Sequence, residues 1–146
     1  VAEIGKAAIV KEGSDITVVS YSRGVVTALD VANQLEGEGI SVEVVDLRSL
    51  RPLDRETVCA SVRKTSRAVI FEDDLLSYGI GAEISATIGE GAFDWLDAPV
   101  RRVAGAEVPL PYSKPLELAA MPDAAALTKV INETLSASAF EGGQHV

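Results

Sequence analysis

The sequence is short of the residues from which most nucleophilic and metal sites are made. It has one cysteine, Cys59, and one histidine, His145. A single cysteine forms no intrachain disulfide. A nucleophilic serine or cysteine needs a base within reach. The one histidine stands next to the last residue, where chains fray. Ser–His, Cys–His and histidine-based metal sites are therefore disfavoured. Cys59 falls inside a helical apolar pattern and reads as a small core residue. Cations are also scarce: Lys and Arg number 13 against 22 Asp and Glu, a net charge of −9. Nucleic-acid binding requires a basic face that releases counterions, so no nucleic-acid partner is expected. The acid excess suits a basic protein partner, although a plain solvated surface is the default reading for any one acidic residue. No apolar run approaches the ~20 residues that cross a bilayer, and no membrane partner is expected. Glu3 and Lys6 interrupt the opening apolar residues, which lack a signal-peptide pattern.

What is present is a core. Hydrophobic residues make up 47% of the 146, enough for one domain over residues 1–146. Residues 1–6 and 139–146 are expected to be flexible ends. The segment Gly5–Gly13 predicts a short strand, followed by a turn at Gly13-Ser14-Asp15 and a β-branched strand over Ile16–Tyr21. The period then changes. Val25, Ala28, Leu29, Ala32 and Leu35 share one helical face, with Ser22 a candidate N-cap and Gly37 and Gly39 marking the end. Ser41–Leu47 predicts the next strand. Asp54 can cap a second helix, with Leu53 packing on Val58 and Val58, Cys59 and Val62 on its apolar face. Arg67–Phe71 predicts a third buried strand, Glu72–Tyr78 a loop, Gly81–Ala92 a helix and Pro99–Val103 a last strand. Gly105–Met121, with three prolines, reads as irregular. A terminal helix opens at Pro122-Asp123, with Leu127, Val130, Ile131 and Leu135 buried. Continuous apolar strands alternating with amphipathic helices imply an α/β fold, a mostly parallel sheet covered on both faces.

The chemical motifs are weak. Gly79-Ile80-Gly81 opens a helix after a strand, which invites a phosphate site. The third glycine of the dinucleotide fingerprint is replaced by Ile84, and Glu72, Asp73 and Asp74 precede the turn. Close backbone packing is the stronger reading, because Gly81, Ala82, Ser85, Ala86 and Gly89 are all small. The three acidic residues could hold a divalent ion, but no further spacing completes a site, and a solvated or ion-paired surface is favoured. Ser20-Tyr21-Ser22-Arg23-Gly24 lacks the first glycine of a nucleophile elbow. Trp95, between Phe93 and Pro99, reads as core edge ahead of a protein-binding anchor.

Four segments together resemble one family. Asp46-Leu47-Arg48-Ser49-Leu50-Arg51-Pro52-Leu53-Asp54, Gly79-Ile80-Gly81-Ala82-Glu83-Ile84, Leu96-Asp97-Ala98-Pro99 through Val103, and Gly105-Ala106-Glu107-Val108-Pro109-Leu110-Pro111-Tyr112 stand in the order and spacing found in β subunits of the first component of thiamine-diphosphate-dependent 2-oxo acid dehydrogenases. The resemblance covers roughly Lys6 to Leu135 and is to their C-terminal domain. It implies a transketolase C-terminal fold: a three-layer α/β/α sandwich on about five strands, with one antiparallel edge strand. It implies an oxidoreductase that decarboxylates a 2-oxo acid and acylates a lipoyl group. It further implies that thiamine diphosphate and Mg, present in the full enzyme, lie outside this chain, with no catalytic, cofactor-binding or metal-binding residue here; the domain alone is expected to be inactive. The start without an initiator methionine fits an excised domain. The implied partners are an α subunit, a second β subunit and the subunit-binding domain of a dihydrolipoyl acyltransferase, in the bacterial cytoplasm or mitochondrial matrix. Asp97 occupies the place of a partner-binding aspartate, with Asp94 beside it. Gly81, Ala82, Ser85 and Gly89 are the candidate subunit-interface residues. The Val108–Tyr112 stretch leans toward pyruvate or acetoin as substrate, whereas Glu72–Tyr78 departs from mammalian pyruvate enzymes. The alternatives are the C-terminal domain of a transketolase or deoxyxylulose-phosphate synthase, and a small-molecule-binding regulatory domain.

Overall fold

Period-two alternation in the strands places successive side chains on opposite faces of a sheet, and the computed structural model, which describes residues 3–137, has apolar cores on both. The strands are β1 (Ala8–Lys11), β2 (Ile16–Ser20), β3 (Val42–Asp46), β4 (Ala68–Leu75) and β5 (Arg101–Gly105). The helices are α1 (Gly24–Glu36), α2 (Arg55–Thr65), α3 (Ile80–Ala92), α4 (Lys114–Ala120) and α5 (Ala124–Ser136). The sheet order is β1-β3-β2-β4-β5. β1 runs antiparallel to β3, and the other pairs are parallel. Val18, Val44, Val69 and Phe71 point to one face, where Val31, Leu35, Leu127 and Ile131 of α1 and α5 cover them. Val19, Val45 and Ile70 point to the other, under Val58, Val62, Ile84 and Ile88 of α2 and α3. The three-layer sandwich with one antiparallel edge strand is thus the observed fold.

Several local expectations hold for their stated reasons. The Asp54 carboxylate accepts from the Thr57 N–H at 3.2 Å and also ties down the Ala7 N–H at 3.0 Å. Burial opposes its ionisation, but these bonds, with that from the Thr57 hydroxyl, outweigh it and leave its pKa lowered. Asp123 caps α5 through the Ala126 N–H. Gly39 takes a left-handed φ of 84° just after α1. Cys59 is buried in the α2–α3 core.

Three expectations are corrected. Ser22 is not the cap of α1. Only Tyr21, Ser22 and Arg23 link β2 to α1, and this short link puts Ser22 itself at a φ of 53°, leaving Arg23 at the cap without a side-chain bond. β4 does not stop at Phe71; it continues through Leu75, because Glu72 has a buried partner and β5 pairs alongside as far as Gly105. The proline-rich stretch is not wholly irregular. It contains α4, with Pro115 in the first turn, where a missing N–H costs no helical bond. The expected loose end at 139–146, including His145, lies outside the described residues.

Candidate functional site

Glu72 sits near the carboxyl end of the parallel strands, where open α/β sheets place ligands. Its side chain is fully buried. One carboxylate oxygen pairs with Arg102 Nη2 at 2.7 Å, and the other accepts the Gly81 N–H at 2.8 Å. Arg102 Nη1 donates to the Leu76 carbonyl at 2.7 Å, holding the β4–α3 loop. A Cβ on Gly81 would lie 2.0 Å from Glu72 Oε1. Glycine is therefore required there so that the carboxylate can reach the helix N-terminus, where negative charge is stabilised. A diphosphate at this turn would meet Glu72 in its own place, so the residues do not fit that group. Among the described residues, no cluster of three or more His, Cys, Asp or Glu is arranged to hold a metal.

Tyr21 leans over this pair, its hydroxyl 3.5 Å from Glu72 Oε2. Burial, then the negative charges of Glu72, Asp74 and Asp73, push its phenol up to about 12. A raised phenol contributes stability that is present below the ordinary value near 10 and is lost as pH rises from there through 12. Ultraviolet titration should show one phenol ionising near 12 that disappears in Tyr21→Phe. Finding no such late step would refute the burial of this hydroxyl against the carboxylate.

Two clefts are lined in part by the neighbouring Asp73. One, of about 260 Å3, lies between Asp74, Leu75 and the Val108–Leu110 stretch; it is smaller than the ~300–1,000 Å3 of ordinary ligand pockets. The other, of about 360 Å3, is walled by two ion pairs, Arg23 with Asp73 at 3.0 Å and Lys114 with Glu117 at 3.9 Å, and by the carboxylates of Asp30 and Asp123, so its lining carries excess negative charge. Neither favours a small-molecule site.

The corner between α3 and β5 is more open. Trp95, expected at the core edge, is 50% exposed, and Phe93 beside it is 68% exposed. A three-residue 3-10 turn, Phe93–Trp95, swings them outward as α3 ends. The Arg63 guanidinium stacks on the Trp95 ring at 5.3 Å, itself anchored by two bonds to the Gly91 carbonyl at 3.1 and 2.8 Å. Asp97 is fixed through its N–H, which donates to Ser66 O at 2.8 Å. Its carboxylate is half exposed, 3.7 Å from Arg67 Nη2. Asp94 is exposed beside it. Phe93, Asp94, Trp95 and Asp97 are thus exposed or half-exposed within one five-residue stretch.

The candidate interface residues of α3 divide. Gly81 is buried against its own chain's Glu72, which accounts for its small size. Ala82, Ala86 and Gly89 are exposed and Ser85 is half-buried. A Cβ on Gly89 would meet nothing within 4 Å.

Two buried ionic clusters escaped the sequence reading. One is Glu72–Arg102. The other is Glu43, fully buried at the opposite end of the sheet, with Ser61 Oγ at 2.6 Å, the Gly13 N–H at 3.1 Å and the Lys64 ammonium around it. The signal was present for Glu43: a charge inside the apolar run Val42–Val45 demands a buried partner.

The sequence model of the family described as "Transketolase, C-terminal domain" matches residues 5–127. The chain is 55% identical over 119 residues to pyruvate dehydrogenase E1 component subunit beta-2, mitochondrial, of Oryza sativa subsp. japonica, covering 82% of this chain and 32% of that protein. It is 47% identical over 133 residues to the corresponding mitochondrial beta subunit of Saccharomyces cerevisiae, covering 90% of this chain and 36% of that one. The chain therefore spans about a third of the length of the curated relatives it matches. Among solved structures it is similar to a split-gene transketolase described as an inactive beta4 tetramer, with a TM-score of 0.76, 29% identity, and coverage of 92% of this chain and 44% of that one.

Proposed function

The chain belongs to the transketolase C-terminal domain family, as the C-terminal domain of a 2-oxo acid dehydrogenase β subunit, and on that premise we propose that its own work is assembly and docking. The family is thiamine-diphosphate-dependent, and we place the cofactor and the reacting groups outside these residues. The whole enzyme is read as a pyruvate dehydrogenase, because the relatives named above carry that name. It would work with an α subunit and a second β subunit, in the mitochondrial matrix or a bacterial cytoplasm.

The observation that carries the docking reading is the Asp97 corner. A half-exposed carboxylate is pinned by its backbone to Ser66, and exposed Phe93 and Trp95 precede it in the same short turn. Aromatic anchors around a charge are the composition of an interface centre. The corner suits the basic subunit-binding domain of a dihydrolipoyl acyltransferase, with Asp97 accepting a charge-assisted bond and Asp94 adding to the field. The exposed small residues Ala82 and Gly89, with Ser85, are read as the β–β contact, where they would let another backbone approach closely. The 55% identity to a pyruvate dehydrogenase β subunit, against 29% to the split-gene transketolase, disfavours a transketolase origin.

Calorimetric titration with the subunit-binding domain, at low and high salt, tests this. Binding should be salt-sensitive, and Asp97→Ala should weaken it about tenfold or more without altering the circular dichroism. Equal affinity for wild type and Asp97→Ala would remove Asp97 from the interface.

A further inference from the structure

The Arg67–Asp97 contact is unfinished. At 3.7 Å the two groups feel each other's charge but lie beyond the 2.7–3.2 Å of a hydrogen bond. Arg67 Nε is buried and has no hydrogen-bond partner among the described residues. Both main chains are fixed independently of this pair. The Arg67 carbonyl accepts from the Thr17 N–H at 2.9 Å and the Thr65 hydroxyl at 3.1 Å, while the Asp97 N–H is held by Ser66. The side chains are 26% and 49% exposed. The neighbouring cation, Arg63, is committed to the Gly91 carbonyl, Glu56 and Trp95. Among the described residues, Arg67 is the cation paired with the Asp97 carboxylate.

We propose that Arg67 is a built-in competitor for Asp97 that determines which partner cations the corner accepts. This rests on the docking reading above. A partner guanidinium can form two short parallel bonds to the carboxylate and outdo a contact held at 3.7 Å; an ammonium is a single point charge with no such fork. Arg67 thereby selects for a partner that presents an arginine beside apolar groups able to cover Phe93 and Trp95.

The test uses the acyltransferase's subunit-binding domain as titrant against Arg67→Met, Arg67→Lys, Asp97→Ala and the Arg67→Met/Asp97→Ala double variant. Methionine keeps much of the apolar stem and removes the charge. Arg67→Met should bind about two- to fivefold more tightly at low salt, as an exposed ion pair's modest strength allows, with a steeper salt dependence. Arg67→Lys should stay near wild type, and the gain should vanish on the Asp97→Ala background. A merely structural role for Arg67 would not give tighter binding that depends on Asp97. If Arg67→Met does not fold, Arg67→Gln carries the same expected sign. Unchanged or weaker binding by Arg67→Met while Asp97→Ala still loses affinity overturns the competitor and leaves docking standing. No binding by the wild type overturns docking, and this inference with it.

Discussion

Replacing Glu72 with alanine should destabilise the domain by about 3–5 kcal/mol, the usual cost of stripping one partner from a buried ion pair. The size follows from what is left behind. The Arg102 side chain is only 16% exposed and keeps one bond, to the Leu76 carbonyl. Its other terminal nitrogen would face a cavity, with water largely shut out. The Gly81 N–H would lose its acceptor at the start of α3. Urea unfolding should show a lower midpoint with an unchanged slope. Replacing both Glu72 and Arg102 by apolar residues should cost less than Glu72→Ala alone, because no uncompensated charge remains. A loss below about 1 kcal/mol in the single variant, the level of an exposed pair, would show that the pair is solvated in solution.

Glu43→Ala should cost less, about 2–3 kcal/mol, although Glu43 is just as buried. Here the partner decides. The Lys64 side chain is 44% exposed and already reaches Glu12 at 2.9 Å, so its ammonium can return to water. The loss then falls on the Ser61 hydroxyl and the Gly13 N–H, two neutral groups deprived of an acceptor. Lys64→Met reverses the situation. It leaves a fully buried carboxylate without its cation and should be at least as damaging as Glu43→Ala. Bonds that its ammonium donates first to Glu12 and then to Glu43 hold the Lys64 pKa above its ordinary value. The stability this contributes is present below the ordinary lysine value and is lost as pH rises through the folded one. A Glu43→Ala loss equal to that of Glu72→Ala, measured in the same urea series, would show that partner exposure does not set these costs.

The fold was readable because its signals are local. Val18, Val44 and Val69 alternate with Val19, Val45 and Ile70, and that alternation alone requires two apolar cores. The α1 and α5 stripes follow a period of 3.6, and Asp54 and Asp123 are cap residues by their chemistry. The resemblance then supplied Asp97, Asp94 and the small residues of α3 as candidates. The errors also have physical causes. Glu72-Asp73-Asp74 looks like a loop to any reading that treats each carboxylate as solvated. Trp95 looks like core edge because its ring is apolar. Pro115 looks like a helix breaker, although the first turn tolerates it.

What the sequence by itself determined is the order of the five strands and of the helices other than α4, their buried faces and the caps Asp54 and Asp123, because each rests on residues within one or two turns of one another. Only the tertiary structure decided which charges are paired. Glu72 finds Arg102 at a separation of 30 residues, Glu43 finds Lys64 at 21, and Asp97 meets Arg67 across the corner. A carboxylate carries no mark of its partner in the residues beside it. Strand order and helix packing choose that partner, and with it whether the charge supports the core, caps a helix or faces solvent.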